Sequence, residues 1–306
     1  MRAAAGAATI IIDATAHPDA AVRDCAVRSA GALLRADPLG AAPLLLSFVP
    51  SSPDAVASAV AIAAGTSPAN WVNAMNDAER RVVLALLAAP RRMHPLGRLL
   101  LNEIAGVLPN EVIEVLAVHA DGSGSQLLRP GWGLDRGFSN QPVALIAWVQ
   151  RAAHATGLQR YRWARVWPVI AGNPISQGAS TAISTIAAEG TADEVLFLAE
   201  SLGNCPNFAL DQPSLVAELV AALSRHPTPI HDDVRGHLLA SGMPHGTSRT
   251  PGQPAKANVD ARDRAEALSE TAGMTDDVRE LYRRLRAALQ HQIDRDLDDD
   301  EREADR

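Results

Sequence analysis

The amino-acid sequence predicts an all-α fold, a right-handed superhelical α-solenoid of about six helix pairs with a charged helix at its C-terminal end. Three observations lead to this prediction. Apolar residues recur at the spacing of one helical face, prolines and glycines separate the apolar segments, and no segment shows the alternation of a half-buried strand. Because a single helix pair cannot bury its apolar face alone, we expect neighbouring pairs to stack.

The first predicted helix lies in residues 17–35, HPDAAVRDCAVRSAGALLR. Pro18 and Asp19 suit a helix start, because proline fits the first turn and a carboxylate interacts favourably with the N-terminal end of the helix dipole. The apolar positions of one face are Val22, Ala26, Ala30, Leu33 and Leu34. The small residues of this face, together with Gly31, predict that another helix approaches closely. Asp37-Pro38 ends the helix.

This segment resembles the second helix of a HEAT repeat, which carries a Pro or Asp at the turn, a Val-Arg pair and small residues followed by leucines. The corresponding residues here are Pro18, Asp19 and Val22-Arg23, with the small and leucine positions in residues 26–34. The resemblance is limited to residues 17–35 and implies an α-helical repeat protein of the HEAT or armadillo type. It also implies that Arg23 and Arg28 serve contacts between repeats and bind no ligand.

Proline marks the predicted start of most later helices. The pairs that indicate a start are Ser52-Pro53, Ser67-Pro68, His94-Pro95, Gln141-Pro142, Asn173-Pro174, Gln212-Pro213 and Thr228-Pro229. Four residues of these pairs are suitable N-caps, namely Ser52, Ser67, Asn173 and Thr228. Thr191 and Glu194 have the spacing of a capping box. Glycines that suit helix ends are Gly65, Gly106, Gly157, Gly172, Gly190, Gly203 and Gly242.

The predicted domain organisation has three parts. Residues 1–242 form the solenoid, which a glycine-rich insertion interrupts at about residues 121–141. Residues 243–258, rich in Pro, Gly, Ser and Thr, form a linker. Residues 259–306 form a C-terminal helical segment with an acidic tail, whose apolar stripe lies in residues 276–293. The tail is either a solvated helix end or disordered, and the terminal helix either docks on the array as a cap or stays undocked.

The net charge of −7 is unevenly distributed along the chain. Residues 122–188 carry six arginines against the single carboxylate Asp135, a net charge of +5, whereas residues 1–121 and 189–306 have net charges of −2 and −10. The middle of the chain is therefore basic within an acidic protein. The overall acidity argues against DNA binding, which relies on neutralising many phosphates.

Six of the eleven aromatic residues fall in residues 129–167, interleaved with arginines. The candidate partner-binding residues are Arg129, Trp132, Arg136, Arg160, Arg162 and Arg165. Trp, Tyr and Arg are enriched at protein-binding hot spots, and the same combination suits phosphate contact with base stacking. A structural interpretation stays open beside these two. The residues Trp163, Val166, Trp167 and Ile170 have the spacing of a buried helical face, which would leave Arg162 and Arg165 as its solvated flank.

The predicted function is that of a non-catalytic protein-binding scaffold or regulatory module, part of a larger complex. No G-x-S-x-G, H-E-x-x-H or C-x-x-C motif and no phosphate-binding loop occurs, so we expect no catalytic residue and no cofactor. The alternative is a nucleic-acid-binding protein or a HEAT-like DNA glycosylase. Some HEAT-like proteins of that class place a carboxylate and tryptophans on a concave basic surface, and Asp135 with Trp132 or Trp163 would correspond to them here.

A metal site is not expected. The chain contains a histidine group, His226, His231 and His237, with Asp232 and Asp233 beside it. Asp233 and His237 share a helical face, but no second pair completes a four-ligand set.

A cytoplasmic location is expected from the cysteines and from the lack of targeting segments. Cys25 and Cys205 make no disulfide framework, which favours a reducing compartment. Asp13 ends the N-terminal apolar stretch too early for a signal peptide, and no apolar run is long enough to span a bilayer. We therefore expect no membrane partner.

Overall fold

The computed structural model describes residues 9–11, 13–46, 53–89, 95–121, 134–244 and 253–304 of the chain. Within these ranges the regular structure is helical and no β-strand is present, so the all-α prediction is confirmed there. No helix in these ranges combines the length and apolar character needed to cross a lipid bilayer. The chain divides into two units. Unit 1 comprises Met1–Ala144 and Val169–Gly172, and unit 2 comprises Leu145–Pro168 and Asn173–Arg306.

Unit 1 contains the first eight helices. They are α1 (Ala20–Ala36), α2 (Pro38–Leu46), α3 (Pro53–Ala64), α4 (Pro68–Ala74), α5 (Asp77–Ala88), α6 (Pro95–Ala105), α7 (Pro109–Asp121) and α8 (Asp135–Phe138). Their buried side chains are mostly alanine, valine and leucine. In α3, for example, Val56, Val60 and Ala63 are at most 1% exposed. Such small side chains let helices pack closely.

The remaining helices are α9 (Pro142–Ala153), α10 (Gly157–Ala164), α11 (Trp167–Ala171), α12 (Gln177–Glu189), α13 (Ala192–Leu202), α14 (Phe208–Asp211), α15 (Pro213–Ala222), α16 (Pro229–Gly242), α17 (Lys256–Ser269) and α18 (Asp276–Ala304). A short 3-10 helix, Leu223–Arg225, follows α15. Helices α9 and α11 contribute residues to both units, and the others belong to unit 2.

Six of the seven predicted proline starts are confirmed, at the first residues of α3, α4, α6, α9, α15 and α16. The seventh, Asn173-Pro174, is wrong. Helix α12 begins at Gln177, because the Ser176 hydroxyl caps it by accepting a hydrogen bond from the Ala179 N–H at 3.3 Å.

The predicted caps are confirmed in part. Thr191 and Glu194 form the predicted capping box at the start of α13. Asn76 and Glu79 form a second capping box, at the start of α5, which was not predicted. The capping prediction for Thr228 is wrong, since its side chain accepts no cap hydrogen bond from the described residues, and the same holds for Ser67. Proline already occupies the first turn at both sites, which removes one of the N–H groups that need a partner.

Helix α1 covers most of the predicted segment, residues 17–35, but begins only at Ala20. Asp19 is the N-cap, and its carboxylate accepts a hydrogen bond from the Ala21 N–H at 2.9 Å. Pro18 therefore precedes the helix and does not occupy its first turn. Arg23 Nη1 donates to the carbonyl oxygens of His17 and Pro18 at 2.7 and 2.6 Å. Arg23 thus fixes the chain that enters its own helix, whereas the HEAT resemblance implied a contact between repeats.

The close approach predicted for the small-residue face of α1 is present. Gly31 faces α3, where a Cβ atom added to Gly31 would lie 2.7 Å from Ile62 Cβ and 2.8 Å from the Ala59 carbonyl oxygen. These separations are well below the optimum for carbon contacts, so the contact tolerates only glycine. Ala26 and Ala30 are buried on the same face.

We expect Gly31→Ala to destabilise the protein by about 1–3 kcal/mol, because the added methyl group overpacks the contact between α1 and α3. Denaturant unfolding followed by circular dichroism measures the change. Gly236→Ala in α16 is the matched control, since a Cβ there meets no atom within 4 Å. This control should stabilise the helix by about 0.5–1 kcal/mol. A destabilisation of the same size in both variants would contradict the packing explanation.

The C-terminal helices are longer than predicted and pack within unit 2. Helix α17 begins at Lys256, inside the predicted linker, and α18 extends past residue 293 to Ala304. Hydrogen bonds from Gln290 to Asp294 and from Gln292 to Asp296, at 2.7 and 3.0 Å, support this extension of α18. Helix α18 contacts α15, α16 and α17. Tyr282 is fully buried and donates from its hydroxyl to the Ala209 carbonyl oxygen at 2.8 Å. The terminal helix is thus docked within unit 2.

Candidate functional site

The six predicted partner-binding residues fall into three groups. Arg129 and Trp132 lie outside the described residues. Arg136 is exposed on α8 in unit 1. The other three, Arg160, Arg162 and Arg165, belong to α10 and its C-cap in unit 2.

The predicted continuous helix through Trp163 and Ile170 is wrong. Helix α10 ends at Ala164, and α11 begins at Trp167. Pro168 explains the break, because it lacks the N–H that would bond to the Ala164 carbonyl oxygen and its ring would clash with that carbonyl. The residues predicted to be buried are mostly so, since Val166, Trp167 and Ile170 are fully buried and Trp163 is half-buried.

Arg160 faces the interior of unit 2 and is held by three contacts. Its Nε donates to Glu200 Oε2 at 2.7 Å, and its Nη1 donates to the Ala153 carbonyl oxygen at 2.9 Å. Its guanidinium also lies over the Phe197 ring, 5.4 Å from the centroid. The Arg160 and Glu200 side chains are only 18% and 19% exposed. These contacts give Arg160 a structural role, because they join α10 to α13.

Trp163 stacks in a cluster with Trp148 and Arg151, neither of which was among the predicted site residues. The rings of Trp148 and Trp163 have centroids 5.1 Å apart and are tilted by 42°. Arg151 lies over both rings, with its Cζ 4.9 and 5.4 Å from their centroids. Partial burial lowers the pKa of the Arg151 guanidinium from its ordinary value. This tryptophan pair contributes to the packing of α9 on α10.

The opposite face of α10 combines apolar and basic side chains. We call this the outer face of α10 and define it as Leu158, Tyr161, Arg162 and Arg165. Their spacing of i, i+3, i+4 and i+7 places them on one side of the helix, and Arg165 keeps helical backbone angles as the C-cap residue. Leu158 is 62% exposed and Tyr161 is 54% exposed, while both arginines are half-buried. Leu158 and Tyr161 were missed, although their spacing relative to the arginines was a readable signal.

The residues of the glycosylase-like grouping belong to different units or lie outside the described residues. Asp135 lies in α8 of unit 1, Trp163 packs in the tryptophan pair of unit 2, and Trp132 lies outside the described residues. Part of the predicted insertion, residues 134–141, is also more ordered than expected. It contains α8, whose Phe138 is fully buried.

The histidine group makes local contacts. His231 Nε2 lies 3.1 Å from the His226 carbonyl oxygen. The pKa of His226 is lowered by partial burial and, to a smaller extent, by the nearby charges of Arg225 and His231. In the described part of the chain no group of three or more His, Cys, Asp or Glu residues has an arrangement suited to a metal ion.

The comparisons with known proteins give no relative. No protein-family model, no curated protein and no solved structure matches this chain.

Proposed function

We propose that this chain is a non-catalytic protein-binding module, and that the outer face of α10 binds an acidic segment of a partner protein. The observation that carries the proposal is the exposure of Leu158 and Tyr161 next to Arg162 and Arg165 on a single helical face. Exposed apolar side chains beside arginines are the combination found at the centre of protein interfaces.

The charge distribution favours an acidic partner. The outer face of α10 carries two arginines and lies in residues 122–188, the only region with a positive net charge, +5. Two further arginines of the same region, Arg151 and Arg160, contact aromatic rings in unit 2. A positive patch attracts a negative partner and raises its association rate. The exposed tyrosine and leucine would supply the apolar contact that fixes the partner.

The helix packing supports a scaffold of the HEAT or armadillo type. In unit 1, α1 packs on α3, α3 on α5, and α5 on α7. In unit 2, α12 packs on α15 and α13 on α16. Contacts between a helix and the second or third helix after it in the chain are expected where helix pairs stack in layers. We propose on this basis that residues 1–242 form an α-solenoid, and that the module works as a part of a larger complex in the cytoplasm. Cys25 and Cys205, both unpaired, are compatible with a reducing compartment.

The test uses an acidic amphipathic peptide with glutamates and leucines on one helical face, labelled with fluorescein and titrated with the full chain. The double variant Arg162→Glu/Arg165→Glu should weaken binding by about a hundredfold, and Tyr161→Ala by about tenfold, because both remove central contacts. Fluorescence anisotropy gives the dissociation constants. Circular dichroism melting of each variant shows whether the fold is retained.

A matched control changes the same charge elsewhere in unit 2. Arg283→Glu/Arg284→Glu alters two arginines of α18 that are 63% and 57% exposed. This control should change the affinity by less than about twofold. Equal losses in the two double variants would contradict the proposed surface. Tighter binding of duplex DNA than of the peptide at low salt, with a steep decrease as salt rises, would favour the nucleic-acid alternative.

A further inference from the structure

A cleft lies in unit 1, and its lining includes Asp135 and Arg136, which the outer face of α10 does not contain. It is formed between α6 and α8 and has a volume of about 580 Å³. Clefts that bind small molecules usually measure about 300–1,000 Å³. The side chains that define its chemistry are Arg98, Leu99, Asn102, Glu103, Asp135 and Arg136. Four of these six are charged, which is unusual for a cleft that serves only packing.

The two walls of the cleft are fixed against each other. The Gly137 N–H donates to Asn102 Oδ1 at 2.8 Å, which joins α8 to α6. A Cβ atom at Gly137 would lie 2.7 Å from Ala105 Cβ, so the two helices approach as closely as glycine permits. Gln141 Nε2 donates to the Gly106 carbonyl oxygen at 2.9 Å at the next turn. The cleft is therefore preformed, and a ligand would bind without having to order its walls.

Each wall carries one positive and one negative charge. Helix α6 contributes Arg98 and Glu103, and α8 contributes Asp135 and Arg136. No ion pair between two described residues includes Glu103, Asp135 or Arg136. Burial lowers the pKa of the Arg98 guanidinium from its ordinary value, which indicates that this cation has lost part of its water. A partly desolvated guanidinium binds a carboxylate more strongly than an exposed one does.

We propose that this cleft binds a small zwitterion, a dipeptide with free termini. The ligand carboxylate would pair with Arg98 and Arg136, and its ammonium group with Glu103 and Asp135. The balanced charges select this class, because a doubly negative ligand such as a phosphate ester would meet two carboxylates and a simple cation would meet two guanidinium groups. Leu99, 50% exposed on the wall, offers an apolar contact for a ligand side chain.

The experiment is isothermal titration calorimetry of the full chain with a panel of dipeptides X-Gly, in which X is each of the twenty amino acids. At least one dipeptide should bind with a dissociation constant at or below about 1 mM. Its N-acetyl and its C-amide forms should each bind about tenfold more weakly, because each loses one charged contact. The absence of binding by every member at 10 mM, about tenfold above that limit, would overturn the proposal. Tighter binding of inorganic phosphate alone would also overturn it.

Two variants that each remove one charge assign the contacts. Arg136→Gln should weaken binding of the free dipeptide about tenfold. The affinity for its C-amide form should stay unchanged, because that form has no carboxylate to pair with Arg136. Asp135→Asn should likewise weaken binding of the free dipeptide and leave the affinity for its N-acetyl form unchanged, because that form has no ammonium group to pair with Asp135. Arg81→Gln is the control, an arginine of unit 1 that pairs with Glu111 and is 57% exposed. Equal weakening of free and blocked forms would contradict the assigned roles.

The two proposals fail independently. Arg162→Glu/Arg165→Glu should leave dipeptide binding unchanged, since those residues belong to unit 2. Loss of dipeptide binding in that variant, with the melting temperature retained, would contradict the placement of the ligand in the cleft of unit 1.

Discussion

Ending the chain after residue 275, which removes α18, is expected to unfold unit 2. The helix buries six large side chains, each at most 4% exposed: Val278, Leu281, Tyr282, Leu285, Leu289 and Ile293. Burial of such a side chain contributes about 1.5–3 kcal/mol, so the six together contribute on the order of 10 kcal/mol. This is comparable to the whole stability of a domain, about 5–15 kcal/mol. Circular dichroism and hydrogen exchange measure the loss.

A shorter deletion is the matched control for this truncation. Ending the chain after Ile293 removes the acidic end of α18 and keeps every one of the six buried side chains. We expect the free energy of unfolding of this variant to lie within about 1 kcal/mol of that of the full chain, because exposed charges at a helix end contribute little to stability. If the long deletion melted like the full chain, the docking of α18 through Tyr282 and Leu285 would be contradicted.

Arg160→Met is expected to destabilise the protein by about 2–4 kcal/mol. The variant keeps an unbranched apolar stem but leaves Glu200, which is only 19% exposed, without its cation. Breaking a fully buried ion pair by removing one partner costs about 3–5 kcal/mol, and the remaining exposure reduces this amount. The hydrogen bond to the Ala153 carbonyl oxygen is lost as well. Denaturant unfolding measures the change in the free energy of unfolding.

The control for Arg160 is an exposed pair of the same chemistry. Arg81 and Glu111 are 57% and 38% exposed, with Nη2 3.3 Å from Oε1. Arg81→Met should change the free energy of unfolding by less than about 1 kcal/mol. The double variant Arg160→Met/Glu200→Leu should recover part of the stability lost in Arg160→Met, because it removes the unpaired carboxylate. The explanation would be contradicted if the double variant recovered no stability and if Arg160→Met and Arg81→Met lowered the free energy of unfolding equally. Burial of the Arg160–Glu200 pair would then make no difference to stability.

Local chemistry made much of the helical structure predictable. Proline at the first turn marked six helix starts, and the Thr191–Glu194 spacing gave the capping box. The small residues of α1 predicted a close neighbour, which Gly31 has in α3. These features depend on residues within a few positions of one another, so the sequence displays them directly.

Contacts between distant parts of the chain were not predictable in the same way. Arg160 and Glu200 are 40 residues apart, and Gly137 and Asn102, which join the walls of the cleft, are 35 apart. Nothing in a single sequence indicates which of several arginines meets which carboxylate. Pro168 indicates the break between α10 and α11, but the regular spacing of Trp163 and Ile170 led to the prediction of one continuous helix.

The central basic region supplies side chains to both faces of α10, and the sequence did not separate these two faces. Periodicity alone does not tell which face of a short helix is buried when both faces carry aromatic side chains and arginines. In α10 the buried face holds Arg160 and Trp163, and the exposed face holds Tyr161 and Arg162. Packing against α13 decides between them, because the pocket beside Glu200 and Phe197 accepts Arg160.

Hydrogen exchange of the full chain with and without the acidic peptide tests the central proposal, binding at the outer face of α10, most directly. We predict that the peptide slows exchange of the amides in residues 157–165 at least about tenfold and leaves those of α18 unchanged. The Arg162→Glu/Arg165→Glu variant should show no such protection. Protection confined to other helices at a saturating peptide concentration, or protection of residues 157–165 that persists in the double variant, would contradict binding at this face.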